Sequence, residues 1–142
     1  MYERVGGDEF FAGLVDRFYA GVAKDAVLRP LYPDDLEAPK DHLTKFLVQY
    51  WGGPATYSEE RGHPRLRMRH APFRIGLAER DAWLRHMLGA LEAAGLPDDD
   101  REEMTAYFTS TATQLINALD AGDTCERQKR RRQALEERPP RP

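Results

Sequence analysis

Phe10, Leu14, Phe18 and Val22 step by four residues, and Phe11, Val15 and Tyr19 fill the adjoining row. Residues three and four apart share a helix face, so this pattern predicts a broad buried stripe on a helix from about Asp8 to Ala23, with Gly6-Gly7 at its start. The same period returns along the chain. Leu43, Phe46, Leu47 and Tyr50 predict a helix over about Lys40 to Trp51, which Gly52-Gly53-Pro54 ends, because glycine takes a left-handed cap and proline cannot continue a helix. Trp83, Met87, Leu88 and Leu91 predict a third over about Glu79 to Ala94, stopped by Gly95. Met104, Phe108, Leu115, Ile116 and Leu119 predict the last, over about Asp99 to Asp120. No segment sustains the period-two alternation of a half-buried strand, so the expected fold is all-α, with no sheet to frame a nucleotide-binding crevice.

The connections are marked by proline. Pro30, Pro33 and Pro39 break the stretch from Asp25 into short turns that carry Leu28, Leu31 and Tyr32 inward. The stretch from Gly52 to Pro64 reads as irregular, long for a connection and therefore suspected of function. Pro64 suits the first turn of a short helix that Pro72 must end, so Leu66 and His70, four apart, share a face.

A chain of 142 residues, 41% hydrophobic, makes about one domain, able to bury a core and a mid-sized ligand. A net charge of −3 gives no general pull toward nucleic acid. From Gly122 to Pro142 apolar residues are few, which predicts a disordered or transiently helical tail whose basic run, Arg127 to Arg132, reads as solvated. Cys125 is the only cysteine; this excludes an internal disulfide and a cysteine-built zinc cage, and fits a reducing compartment. The opening "MYERVGGDEFF" is charged where a secretory signal needs an apolar core, and the longest uncharged run, Met104 to Leu119, is too short and polar to span a bilayer. The expectation is a soluble cytoplasmic protein without a membrane partner.

The chemistry concentrates in "RGHPRLRMRHAPF", Arg61 to Phe73, which holds two histidines, four arginines and two prolines with no acidic residue among them. Three of the four histidines of the chain read as hydrogen-bonded structural residues. His42 sits about 100° around its helix from the neighbouring Leu43, His63 precedes a proline, and His86 flanks an apolar face. No HExxH pair or cysteine–histidine pairing supports a zinc hydrolase. His70 alone combines an inward position with locked flanks. A helix end offers spare carbonyls to hold one imidazole N–H while the other nitrogen binds a metal. Arg67 and Arg69 beside it suit carboxylates in fork geometry. Haem offers both partners, an iron and two propionates. Tyr19, Tyr32, Phe46 and Trp83 fall on the inward sides of different elements, and three of them carry a donor. A plain core with hydroxyls on backbone carbonyls gives the same placement, so the aromatics alone leave both readings open.

"RFY" at residues 17 to 19, "YP" at 32 to 33, "FLVQYWGGP" at 46 to 54, "YSEERGHPRLRMRHAPFRI" at 57 to 75 and "ERDAWLRHM" at 79 to 87, together with Gly6-Gly7, resemble the truncated haemoglobins, specifically their second group, over about residues 1 to 121. The resemblance implies a two-over-two helical sandwich around haem b, with His70 as the proximal ligand and Tyr19, Tyr32 and Trp83 as the distal hydrogen-bonding set. Leu43, Phe46, Leu47, Tyr57, Leu66, Arg67, Arg69, Phe73 and Trp83 are the expected haem-contacting residues. The ligand gate, small or polar in that family, falls on Pro39, and the tail from residue 122 has no counterpart in it. The activity implied is binding of dioxygen, or of carbon monoxide, nitric oxide or peroxide, at a pentacoordinate iron, serving transport, sensing or detoxification with an unidentified reductase; a homodimer is allowed. Two donors aimed at dioxygen that has gained negative charge, each worth ~1.5–3 kcal/mol, slow its release by about a hundredfold to ten-thousandfold. No acid/base pair suited to fast peroxide cleavage is evident. The rival of a different class is a haem-free helical interaction protein that uses its basic tail on nucleic acid or an acidic partner.

Overall fold

The structure, a computed structural model, describes residues 1 to 118. Leu119 and the expected tail, with Cys125 and its basic run, lie outside the described residues. Among the described residues seven α-helices follow one another: α1 Tyr2–Val5, α2 Gly7–Val22, α3 Glu37–Tyr50, α4 Thr56–Arg61, α5 Leu66–His70, α6 Leu77–Ala93 and α7 Asp98–Gln114, with one 3-10 turn at Arg29–Leu31. There is no strand among the described residues. α2 lies against both α3 and α6, and α6 lies against α7, which makes a sandwich of two helix pairs.

The apolar stripe of α2 holds this sandwich together. Phe11, Leu14, Val15, Phe18 and Val22 are fully buried, and they meet Leu47 of α3, Met87 and Leu91 of α6, and Met104 and Phe108 of α7. Burying each such side chain stabilises the fold by roughly 1.5–3 kcal/mol. A carboxylate fixes how α2 meets α6. Asp25, just beyond α2, accepts the Val27 and Leu28 N–H groups at 2.8 and 3.2 Å, the Arg85 guanidinium at 2.9 Å and His86 Nε2 at 2.6 Å. The helices approach closely there because Gly21 has no side chain, a Cβ at that position falling only 2.3 Å from His86 Nδ1. His86 is thus a structural residue, as its flanking position suggested.

The structure corrects several sequence expectations. α3 begins at Glu37 rather than near Lys40. Pro39 lies in its first turn, where a backbone N–H has no helical acceptor to lose. Tyr50 is 52% exposed rather than inward, and it stacks on Tyr107 at 4.0 Å between ring centroids. The stretch expected to be irregular contains α4, which Gln49 of α3 pins: its side-chain amide donates to Ser58 Oγ at 2.8 Å and accepts the Ser58 N–H at 2.9 Å. α5 starts at Leu66, two residues after Pro64, with Arg65 ahead of it in the left-handed region at φ 44°. α7 ends at Gln114 instead of near Asp120. The chain leaves it so that the N–H groups of Asn117 and Ala118 reach the Ile75 carbonyl at 2.8 and 3.1 Å.

Candidate functional site

A cavity of about 510 Å³ opens between the two helix pairs, within the range of ~300–1,000 Å³ typical of small-molecule and cofactor sites. Its walls come from the expected set: Leu43, Phe46 and Leu47 of α3, Tyr57 of α4, Leu66, Arg69 and His70 of α5, then Phe73 and Trp83. Tyr19 and Tyr32 line it as well. Arg67 does not; it is exposed and turned from the cavity although the sequence pairs it with Arg69. Alternate residues of a helix lie about 200° apart, so both arginines cannot face one wall. Pro39 lines the cavity beside Ala38.

His70 stands on the last residue of a five-residue helix, so neighbouring bonds fix its orientation. Its Nδ1 lies 2.7 Å from the Leu66 carbonyl. A carbonyl can only accept, so Nδ1 carries the proton and Nε2 presents its lone pair. Burial pulls the imidazole below its ordinary value, which favours that neutral form. Upstream, Arg69 straps the approach to α5: its Nε donates to the Pro64 carbonyl at 2.6 Å and its Nη2 to the Arg61 carbonyl at 2.8 Å. His63 Nδ1 accepts the Arg65 N–H at 3.1 Å and supports the left-handed turn. Downstream, Asn117 clamps the exit. Its amide donates to the Phe73 carbonyl at 2.7 Å and the His70 carbonyl at 3.4 Å, while its oxygen accepts the Ile75 N–H at 2.8 Å.

Across the same cavity the donor-bearing aromatics group together. The rings of Tyr19 and Tyr32 meet edge to face at 5.5 Å, and Trp83 packs between Phe18 at 5.2 Å and Phe108 at 5.8 Å. Burial drives the Tyr32 phenol up to about 12, against the downward pull of hydrogen bonding with Tyr19 and Trp83. Burial lifts Tyr19 further still. Both phenols therefore keep their protons at neutral pH, and with the indole N–H they make a set of neutral donors.

Sequence reasoning missed several polar residues of the wall, among them a pair that bond one another. His42 and Arg61 both line the cavity, and Arg61 Nη1 lies 3.0 Å from His42 Nε2. The rotation of His42 from the Leu43 stripe takes it to the rim of the cavity rather than away from it. Arg61 Nε is buried without a hydrogen-bond partner. Nothing in the local pattern signals this pairing, because its members are 19 residues apart.

No group of three or more His, Cys, Asp or Glu side chains among the described residues could hold a metal ion. Of the two imidazoles on the wall, that of His42 is engaged by Arg61 and that of His70 keeps a lone pair, which suits an iron that arrives with four ligands already supplied by a porphyrin. The apolar walls and a rim guanidinium holding an orphaned donor fit the rest of such a group. The class this arrangement defines is a helical protein built around a histidine-bearing cofactor cavity.

The comparisons with known proteins agree. The family model of the bacterial-like globins matches residues 1–117. The group 2 truncated hemoglobin YjbI of Bacillus subtilis is 42% identical over 122 residues, covering 86% of this chain and 92% of its own. The crystal structure of a haemoglobin from Chloroflexus aurantiacus superposes with a TM-score of 0.81 at 57% identity, over 82% of this chain and 97% of that one. A truncated oxygen-avid haemoglobin from Bacillus subtilis gives a TM-score of 0.78 at 42% identity, over 82% and 98%. This chain belongs to the bacterial-like globin family, among the truncated haemoglobins of its second group. Membership implies that it binds haem and gaseous ligands. Among the described residues no helix is long and apolar enough to cross a membrane.

Proposed function

We propose that this globin holds haem b through His70 Nε2 and binds dioxygen with slow release, its domain spanning residues 1 to 121. The observation that carries the reading is the Nδ1–Leu66 bond, which leaves the other imidazole nitrogen as the sole lone pair of a fixed ring facing an apolar cavity. Haem supplies an iron that takes up diatomic ligands reversibly. The chain supplies the rest. Leu43, Phe46, Leu47, Leu66 and Phe73 exclude water around the porphyrin. Trp83 donates its indole proton, which no rotation can exchange for a lone pair, while Tyr19 and Tyr32 donate and accept within one coupled group. In a dry site such donors strengthen, so a ligand with negative charge stays longer than one without. The oxygen-avid relative from Bacillus subtilis supports retention over delivery. Sensing, or detoxification of nitric oxide or peroxide with a separate reductase, suits a slow-releasing site better than transport. Carbon monoxide is a further ligand, and a cytoplasmic setting accords with the single cysteine.

The test is the absorption spectrum of the full-length protein with haem. A strong near-ultraviolet band that shifts with carbon monoxide is expected, and in His70→Gly it should weaken and return on adding imidazole. A chain that stays colourless with haem present, or a His70→Gly variant with the wild-type spectrum, would sink the assignment.

A further inference from the structure

We infer that Arg61, steadied by His42, is the side chain that takes a porphyrin carboxylate, an assignment that rests on the haem reading above. The basic stretch around α5 offers several candidates, and most are excluded by position or by existing partners. Arg65 and Arg67 are exposed and do not line the cavity. Arg69 commits Nε and Nη2 to the carbonyls of Pro64 and Arg61, so its fork closes on the backbone. Arg80 reaches the cavity wall, but its Nε bonds Asp81 at 2.9 Å and its Nη1 bonds Thr113 at 3.3 Å.

Arg61 differs in each respect. It lies on the wall at the C-terminal end of α4, and its side-chain hydrogen bond among the described residues goes to a neutral acceptor, His42 Nε2. Its Nε is sealed from solvent with no acceptor. A guanidinium with surplus donors in such a place calls for an anion, and a planar two-oxygen group matches its fork better than a point acceptor does. The Tyr57 ring lies 6.0 Å from the guanidinium carbon and supports it from one side. By accepting on Nε2, His42 keeps its own proton on Nδ1 and brings a second donor to the same rim. Burial, and then the Arg61 charge, hold the His42 imidazole below its ordinary value, so the pair carries one positive charge at neutral pH. The acidic residue of the wall, Glu79, is already paired with Arg74 at 3.1 Å and does not compete for Arg61.

Esterification separates carboxylate recognition from porphyrin binding. Full-length wild type, Arg61→Gln and Arg67→Gln are loaded with protohaem or with its dimethyl ester, and transfer of each to an excess of a haem-scavenging protein is timed. Arg61→Gln should lose protohaem about tenfold faster or more, with less than about a twofold change for the ester. Arg67→Gln should match wild type for both. Equal acceleration of both porphyrins in Arg61→Gln would mark a loosened fold rather than a carboxylate site, and an unchanged protohaem rate would also overturn the assignment. A wild-type chain that takes up neither porphyrin would overturn the haem reading, and this assignment with it.

Discussion

Asn117 and Ile75 bond one another twice: the side-chain oxygen of Asn117 accepts the Ile75 N–H at 2.8 Å, and the Ile75 carbonyl accepts the Asn117 N–H at 2.8 Å. The segment after the site histidine is therefore fastened by the segment after α7, across 42 residues of sequence. Asn117→Ala removes the side-chain half of this clamp, strands the Ile75 N–H and releases the Phe73 carbonyl. The expected loss is about 1–3 kcal/mol of stability, read from the chemical denaturation midpoint. Asn117→Asp, which keeps the acceptor and loses the donor, should fall between the two. A midpoint unchanged in Asn117→Ala would show that solvent replaces the clamp without cost.

Trp83 offers a donor that cannot turn into an acceptor, next to two phenols that can. Trp83→Phe keeps a ring against Phe18 and Phe108 and deletes the N–H. Dioxygen release, followed by stopped flow, should quicken about tenfold or more if the bond is worth at least ~1.4 kcal/mol. Carbon monoxide release should change less. Because Tyr32 is tied to both Tyr19 and Trp83, the effects of Tyr32→Phe and Trp83→Phe should not add. An unchanged dioxygen rate would leave the indole a packing residue.

Acid should act through Asp25. Hydrogen bonding to His86, above all, and then the Val27 and Leu28 N–H groups hold this carboxyl down at about 2, against the opposing pull of burial. A carboxyl whose folded value is depressed adds stability that is complete above its unfolded value, near ~4, and disappears as pH falls through the folded value. Wild type should therefore exceed Asp25→Asn in stability at pH 5 to 7, and the gap should close between about pH 4 and pH 2. Denaturation midpoints at a series of pH values measure this. A gap that stays constant down to pH 2 would remove Asp25 from the acid response.

The residues that periodicity exposes are those whose partners are helical neighbours. The α2 stripe and its limits lay within a residue of the expectation, and the inward pairing of Leu66 with His70 followed from their spacing. Elements held by distant partners were not legible. α4 depends on Gln49, the early end of α7 depends on Ile75, and Arg61 acquires its place from His42. In each case a local pattern admitted several conformations and a contact from elsewhere in the chain selected one. Of the neighbouring pair Arg67 and Arg69, of which only one was expected to face the haem edge, it is Arg69 that lines the cavity, since alternate positions on a helix face apart.

A helix of five residues is far below the ~12–15 needed for marginal stability in isolation. α5 therefore exists only while Arg69, Leu66 and Asn117 hold it in place. Capture of the cofactor and completion of the polypeptide's own architecture then become one equilibrium. A porphyrin that binds the folded turn and not the unfolded chain then adds stability that grows with the logarithm of its excess over the dissociation constant.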